Sequence, residues 1–279
     1  MPDPKVCLEA LEALTGCQMQ PTTEDTQPTP QLTPQDLVNI VALREFYKQE
    51  GFKELEYESI GTLSLQDDAD MYSSPPALCQ APESSLKPIV KINLQKFFHR
   101  EFDYDFTNVK DGNQKFLRGN EVYIRPCGWD RAALRVSQQY DGGDQWLGTG
   151  KDAWPVSYHG HNMDGSLGII LTRDGNPDDS PQFLEACAAS MIREKTSGRG
   201  VYSTPDIQLA ERYCKLFTSK VDGKRYKVVL QNRINPQSRK SCNRDGLWLV
   251  YIPENSTEVK TKAIVQESLR PYGLLLKKA

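Results

Sequence analysis

The sequence predicts an α+β protein in which strands dominate and helices do not alternate regularly with them. Strand-like segments recur after residue 88, among them KPIVKINL, KRYKVVLQNRI and GLWLVYIP. Helical spacing of apolar residues is confined to a few segments, and neither a βαβ alternation nor an internal repeat is present. The 279 residues therefore predict one large domain with an extension rather than a doubly wound parallel sheet.

The N-terminal part of the chain predicts two helices joined by a linker. Residues 5–15 place three leucines on one helical face. The segment QPTTEDTQPTPQLTPQD follows, and its Pro, Thr and Gln content without aromatics predicts an unfolded linker. Thr33 as a cap and Pro34 in the first turn then start a second helix. Its apolar residues at helical intervals are Leu37, Ile40, Val41, Leu43 and Phe46.

Composition divides the chain into three parts: a disordered tail with a short helix (1–35), a helix and loop extension (36–90), and a main domain (91–279). Within the main domain, WPVSYHG and YGLLLKK are typical of strands. Helices are predicted for DRAALRVSQQY and IQLAERYCKLF, and a short helix for GSLGIILTRDG, closed by Gly175.

The charge balance and the cysteines exclude several classes of protein. Lys and Arg number 34 against 37 Asp and Glu, and a net charge of −3 does not provide the cationic surface typical of nucleic-acid binding. No apolar run approaches a membrane span, and the N-terminus lacks the pattern of a signal peptide. Seven cysteines without C-x-x-C predict neither a disulfide framework nor a zinc site. We therefore expect a reducing compartment, the cytoplasm or the nucleus.

Two glycine-containing segments stand out as candidates for ligand binding. Trp154-Pro-Val-Ser-Tyr-His-Gly160 is a strand that brings a histidine to its end, directly before a glycine that lets a ligand approach the backbone. Gly198-Arg-Gly-Val-Tyr-Ser-Thr-Pro205 places Tyr202 eleven residues before Tyr213, and two aromatic rings at such positions can flank a planar heterocycle. The alternative is that the histidine and both tyrosines are packing residues. The three histidines of the chain do not predict a metal site.

Together these segments resemble the catalytic domain of the poly(ADP-ribose) polymerase superfamily, the diphtheria-toxin-like ADP-ribosyltransferases. That family carries W-H-G-[ST], then G-I-L, then G-[KR]-G-[IV]-Y and a helix with A-x-Y-C. This sequence has Tyr158-His159-Gly160, Gly168-Ile169-Ile170, Gly198-Arg199-Gly200-Val201-Tyr202 and an A-E-R-Y-C segment ending at Cys214. The resemblance covers roughly residues 150–279. It implies two packed, mostly antiparallel sheets with flanking helices, preceded here by a partly disordered extension.

The resemblance also implies NAD as co-substrate and a set of site residues. His159 would bind a ribose hydroxyl of NAD, the Gly160 backbone would pair with the nicotinamide carboxamide, and Tyr202 and Tyr213 would sandwich the ring. The segment from Asn176 to Ser197 would form a loop over the pocket.

Three positions depart from the family pattern. The late-strand glutamate of the polymerases is replaced by Leu247, which can neither bind the ribose nor act as a base. The serine that meets the carboxamide is replaced by Ala210, for which Ser203 or Thr204 could compensate, and His161 stands where the family has Ser or Thr. Asp245 is a candidate substitute for the missing acid, because it lies two residues before Leu247 and would share its strand face if the strand starts early, whereas Glu254 follows Pro253 and is expected in a loop.

A triad of His159, Tyr202 and Leu247 disfavours chain elongation and implies a mono-ADP-ribosyltransferase. Its acceptor would be a protein or the chain itself. Nucleic acid is an alternative acceptor, although the net charge does not indicate it. The first alternative is a catalytically inactive relative that binds NAD, ADP-ribose or a protein, because Leu247 and Ala210 both remove polar contacts. The second is a scaffold without nucleotide binding.

Overall fold

The computed structural model describes residues 2–23, 31–50, 87–164, 198–242 and 246–279. Over these ranges the chain is an α+β protein built on antiparallel sheets, which confirms the predicted class. The helices are α1 (Pro4–Thr15), α2 (Pro34–Ala42), α3 (Arg44–Glu50), α4 (Leu94–Phe97), α5 (Ile207–Arg212) and α6 (Glu258–Ser268).

The strands fall into a larger and several smaller sheets. Their bounds are β1 (Gln18–Pro21), β2 (Ile89–Ile92), β3 (Tyr104–Asp105), β4 (Phe116–Arg118), β5 (Glu121–Tyr123), β6 (Asp130–Ala133), β7 (Val156–Gly160), β8 (Gly200–Ser203), β9 (Lys215–Thr218), β10 (Arg225–Ile234), β11 (Arg239–Ser241), β12 (Trp248–Tyr251) and β13 (Leu269–Lys278).

The larger sheet has the order β3-β6-β13-β10-β7, with β9 added to β10, and all its pairings are antiparallel. A second antiparallel sheet has the order β11-β12-β8. The two sheets meet at Tyr158 and Thr204, whose backbone groups exchange hydrogen bonds of 2.7 and 3.0 Å. This junction brings the end of β7 and the end of β8 together, and both predicted motifs lie there.

The first predicted N-terminal helix is confirmed as α1, whereas the segment predicted as the second is interrupted at Leu43 and forms α2 and α3. The ends of α1 and the start of α2 follow from local chemistry. Asp3 caps α1 through its side chain, and Gly16, with φ +76°, ends the helix in the left-handed conformation that glycine adopts without strain. Thr33 and Asp36 form a reciprocal capping box around Pro34 at the start of α2. Each helix buries an apolar face, because apolar residues recur at intervals of three and four residues.

The range 1–35, predicted as a disordered tail with a short helix, contains more regular structure than that helix in the part that the structure describes. Besides α1, this part contains β1, which includes Gln20 and Pro21 of the predicted linker and pairs in parallel with β2. Side chains of α1 and α2, such as Leu11 and Leu37, share one buried cluster with Leu230 and Leu274 of the larger sheet. The boundaries near residues 35 and 90 therefore do not separate two apolar cores within the described ranges, and the extension packs on the main domain.

Two predicted helices of the main domain are wrong in whole or in part. Asp130–Ala133, at the start of DRAALRVSQQY, is strand β6, because it pairs with β13 on one side and β3 on the other. Tertiary pairing here overrides a helical spacing of apolar residues. In IQLAERYCKLF the helix α5 ends at Arg212, and Lys215–Thr218 becomes β9 on the edge of β10. The strands predicted around residues 89–92, 156–160, 225–234, 248–251 and 269–278 are confirmed.

Two helices, α4 and α6, were not predicted, and some predicted features lie outside the described residues. Helix α6 buries only Thr261, Val265 and Ser268 and leaves Val259 79% exposed, so its apolar periodicity is weak. The predicted short helix closed by Gly175 and the loop from Asn176 to Ser197 belong to the range that the structure leaves out. Among the helices of the described ranges, none combines the length and the apolar character needed to cross a membrane.

Candidate functional site

His159 lies at the junction of the two sheets and is completely buried. It occupies the position before the last residue of β7, opposite Leu230 of β10. Its ring Nδ1 is 2.7 Å from the backbone carbonyl oxygen of Tyr202 on β8. A carbonyl oxygen can only accept, so Nδ1 carries the proton and Nε2 of the neutral ring is an acceptor.

The neutral state of His159 follows from its environment. Burial lowers the pKa of His159 from 6.5 to about 4, because the charged ring would lose its hydration, and the contact with the Tyr202 carbonyl only partly opposes this. The Nε2 atom is buried and has no hydrogen-bond partner within the described ranges, and the same is true of the Ser203 hydroxyl. Unpaired buried polar atoms are uncommon, and they indicate where a bound polar group could be accommodated.

Gly160 is required by close packing against the end of α5. A Cβ at this position would lie 2.7 Å from the carbonyl oxygen of Ala210 and 2.7 Å from Cβ of Tyr213. Its backbone faces Met163: the carbonyl accepts the Met163 N–H at 2.8 Å, and its own N–H is 3.4 Å from the Met163 sulfur. The resemblance implied a Gly160 backbone that pairs with a ligand, whereas here both groups contact the turn after β7.

The two tyrosines occupy different environments in one apolar cluster. Tyr202 on β8 is completely buried, and its hydroxyl donates to the Gly198 carbonyl at 2.6 Å. Tyr213 follows α5 as its C-terminal cap and is partly buried against the same cluster, which also contains the fully buried Ala210. The structure therefore places one set of predicted residues in the same region: His159, Gly160, Tyr202, Ser203, Ala210 and Tyr213.

Leu247 lies in this cluster too, directly before β12, and only 2% of it is exposed. Among the described residues, its neighbours in this cluster are apolar. Glu254 is exposed in a turn after β12, as predicted, and Asp245 lies outside the described residues. Of the two hydroxyls that could compensate for Ala210, Thr204 already donates to the Gly246 carbonyl at 2.8 Å, which leaves Ser203.

Sequence reasoning missed an ion pair beside these residues. Asp164 has a side chain with 0% exposure, and its Oδ2 lies 2.7 Å from Nη2 of Arg44 on α3. Nη1 of the same guanidinium is 2.7 Å from both ring nitrogens of His161. Burial and the Arg44 charge lower the pKa of His161 to about 4. No local pattern could reveal this contact, because 117 residues separate Arg44 from His161.

Other features of the described ranges do not coincide with this site. No group of three or more His, Cys, Asp and Glu side chains there is arranged to hold a metal ion. A surface cavity of about 560 Å³ lies elsewhere, between the N-terminus, Gly128 and Lys277 of β13, and none of the predicted site residues lines it.

Comparison of the chain with models of protein families, with curated proteins and with solved structures finds no match.

Proposed function

We propose that the chain is a mono-ADP-ribosyltransferase with an ADP-ribosyltransferase-like fold, which uses NAD to modify a protein acceptor or itself. The observation that carries this proposal is the state of His159. Its Nδ1 proton is committed to the Tyr202 carbonyl at 2.7 Å, and its buried Nε2 is an acceptor without a partner among the described residues. Such an atom is suited to accept a hydrogen bond from a ribose hydroxyl, which is the role implied by the sequence resemblance.

The residues around His159 fit a nucleotide that carries a planar ring. The buried Ser203 hydroxyl has no partner within the described ranges and offers a second polar contact. Tyr213 is only partly buried and offers an aromatic face next to Gly160. When bound, NAD supplies an ADP-ribosyl group attached to a nicotinamide leaving group, while the chain's own residues bind, orient and exclude water.

Leu247 determines the type of transfer in this proposal. Polymer growth requires a base that activates a ribose hydroxyl of the preceding unit, and an aliphatic side chain cannot take up a proton. Because Leu247 lies in an apolar cluster, the acceptor must bring its own nucleophile. The proposal therefore specifies the transfer of one ADP-ribose.

The first experiment is a thermal-shift titration of the full chain with NAD and with a benzamide-type nicotinamide mimic. At 100 times its dissociation constant a ligand stabilises a protein by about 2.7 kcal/mol, which raises the melting temperature measurably. We expect this rise in the wild type and in a control His99→Ala variant, and its loss in His159→Ala. Labelled NAD then tests transfer to the chain and to lysate proteins. A melting temperature that millimolar NAD leaves unchanged would refute the proposal.

Two observations favour a second candidate, an inactive relative that binds NAD or ADP-ribose without transferring it. The Gly160 backbone, which would hold the carboxamide, already contacts Met163, and position 247 lacks an acid. This candidate predicts a thermal shift that depends on His159 together with no incorporation of label. Transfer that disappears in His159→Ala would exclude it.

A further inference from the structure

The turn that follows β7 connects three elements of the candidate site. The Asn162 N–H donates to the Tyr213 carbonyl at 3.0 Å, which ties the turn to the end of α5. The Met163 N–H donates to the Gly160 carbonyl at 2.8 Å, and the Met163 carbonyl accepts from the Tyr202 N–H at 3.2 Å. The position of this turn therefore sets the spacing between the ends of β7, β8 and α5.

The guanidinium of Arg44, which precedes the main domain in the chain, holds this turn in place. Asp164 ends the turn with a fully buried carboxylate, and a buried carboxylate is strongly destabilising unless a cation pairs with it. Arg44 of α3 supplies this cation at 2.7 Å, and its second terminal nitrogen contacts His161 in the same turn. A guanidinium is suited to this double contact because its donors are held in a rigid planar fork.

The same helix is anchored on the other side of the site. Phe46, two residues after Arg44, is 4% exposed and belongs to the buried cluster that includes Val201 of β8. The Arg199 guanidinium lies over its ring, 4.6 Å from the centroid. Helix α3 thus packs against the segment before β8 and contacts the turn after β7, so that Arg44 is held rigidly where it meets Asp164.

We propose that Arg44 is a positioning residue of the candidate site: through Asp164 and His161 it holds the turn His161–Asp164, and thereby Gly160, Tyr202 and Tyr213, in binding geometry. The identity of the ligand in this inference rests on the proposed function, whereas the contacts of Arg44 with the turn do not depend on it. It also assigns a role to the N-terminal extension, which completes the site instead of serving only as a cap on the fold.

Hydrogen exchange tests the geometric part without any ligand. In Arg44→Gln we expect the amides of Asn162 and Met163 to exchange at least about tenfold faster, since the local opening of the turn becomes easier. Amides of Val229 and Leu230 in the neighbouring strand β10 should keep their rates. Lys48→Gln is the matched control, because Lys48 lies on the same helix with a side chain that is 63% exposed. Unchanged exchange at Asn162 and Met163 in Arg44→Gln would overturn the proposal.

Two further variants keep this test decisive if Arg44→Gln does not fold. Arg44→Lys retains the positive charge but not the planar guanidinium. We therefore expect amide exchange in the turn to be faster than in the wild type but slower than in Arg44→Gln. The double variant Arg44→Gln with Asp164→Asn removes both charges and the cost of an unpaired buried carboxylate. It should fold and still exchange rapidly at the turn, and slow exchange in the folded double variant would contradict a positioning role.

NAD binding, measured well below the melting temperature so that all variants are folded, tests the functional part. Small displacements of binding groups are costly, and we expect the dissociation constant to rise about ten- to a hundredfold in Arg44→Gln. Arg44→Lys should recover part of the loss, and Lys48→Gln should bind like the wild type. Equal affinity of Arg44→Gln and wild type would overturn the inference. A wild type that binds no NAD would refute the proposed function instead, while hydrogen exchange would still decide whether Arg44 holds the turn.

Discussion

Nδ1 of His159 lies 2.7 Å from the backbone carbonyl oxygen of Tyr202, and this contact joins the two sheets at the candidate site. It fixes the tautomer of the ring, because only a protonated Nδ1 can donate to a carbonyl. It also couples the two motifs that the sequence singled out, since His159 lies on β7 and Tyr202 on β8.

Acidification should destabilise the protein between pH 6.5 and 4. Burial lowers the pKa of His159 and of His161 from 6.5 to about 4, so the unfolded chain binds more protons in this range. The two neutral histidines therefore contribute their full stabilisation above the pKa of the unfolded state. As the pH falls, the free energy of unfolding decreases, by roughly 2 kcal/mol for each histidine at pH 5. Arg44 and Lys215 disfavour the charged form of His161, whereas Asp164 favours it. Urea unfolding at several pH values measures the effect.

The control for this pH dependence is His161→Gln, which should lose about half of it. A free energy of unfolding that stays constant between pH 6.5 and 5 would show that the histidines are not held neutral by burial.

Gly160→Ala should destabilise the fold by about 1–3 kcal/mol, because the added methyl group meets backbone that has no room to move. A Cβ there would lie 2.7 Å from the Ala210 carbonyl oxygen and from the backbone carbon of Tyr213. Gly150→Ala is the matched control, since a Cβ at Gly150 meets nothing within 4 Å. Thermal and chemical denaturation compare the two variants, and equal losses would rule out a specific role for the contact with α5.

Leu247→Glu should destabilise the protein by about 3 kcal/mol or more, because it places a carboxylate in an apolar cluster without a partner. The wild-type leucine is only 2% exposed. Leu247→Met, of similar volume, should cost less than about 1.5 kcal/mol. Chemical denaturation measures both. A glutamate variant as stable as the wild type would indicate a polar environment at position 247, and the argument against polymer synthesis would then fail.

Arg233→Lys should destabilise the segment that leads into β7. Arg233 is 4% exposed, and its terminal nitrogens donate to the carbonyls of Trp154 at 2.6 Å, Leu147 at 2.7 Å and Gly148 at 3.1 Å. A lysine cannot reproduce this fork, and the loss of these hydrogen bonds from a buried charged group should cost about 2–4 kcal/mol. Arg225→Lys, at the exposed start of the same strand, should be nearly neutral. Urea denaturation distinguishes them, and similar stabilities would mean that these carbonyls are satisfied without the guanidinium.

Local sequence patterns were sufficient to predict a helix or strand where the tertiary contacts of a segment favour the same secondary structure as its own sequence. Helix α2 begins at the predicted cap, because the Thr33 side chain, Pro34 and Asp36 satisfy the first turn among themselves. Strand β10 contains the apolar run Val228–Leu230, which is typical of a strand, and it lies between β13 and β7 as a buried strand. Helix α6 was not predicted, because it buries little apolar surface and its sequence therefore shows little helical spacing of apolar residues.

Local patterns gave the wrong secondary structure where pairing with a distant strand determines it. Asp130–Ala133 has helical spacing but becomes β6, since β13 offers a ladder of backbone hydrogen bonds. The linker residues Gln20 and Pro21 become part of β1, since β2 pairs with them across about seventy residues of chain.

By itself the sequence determined the α+β class and the N-terminal cap of α2, and it singled out the motif residues from His159 to Tyr213, because these depend on residue type and short spacing. The tertiary structure decided which of these residues meet and in what state. It buried His159 and fixed its tautomer against Tyr202, and it brought Arg44 to the carboxylate of Asp164. Charge pairing and desolvation depend on three-dimensional proximity, and contacts between residues more than a hundred positions apart leave no local trace in a sequence.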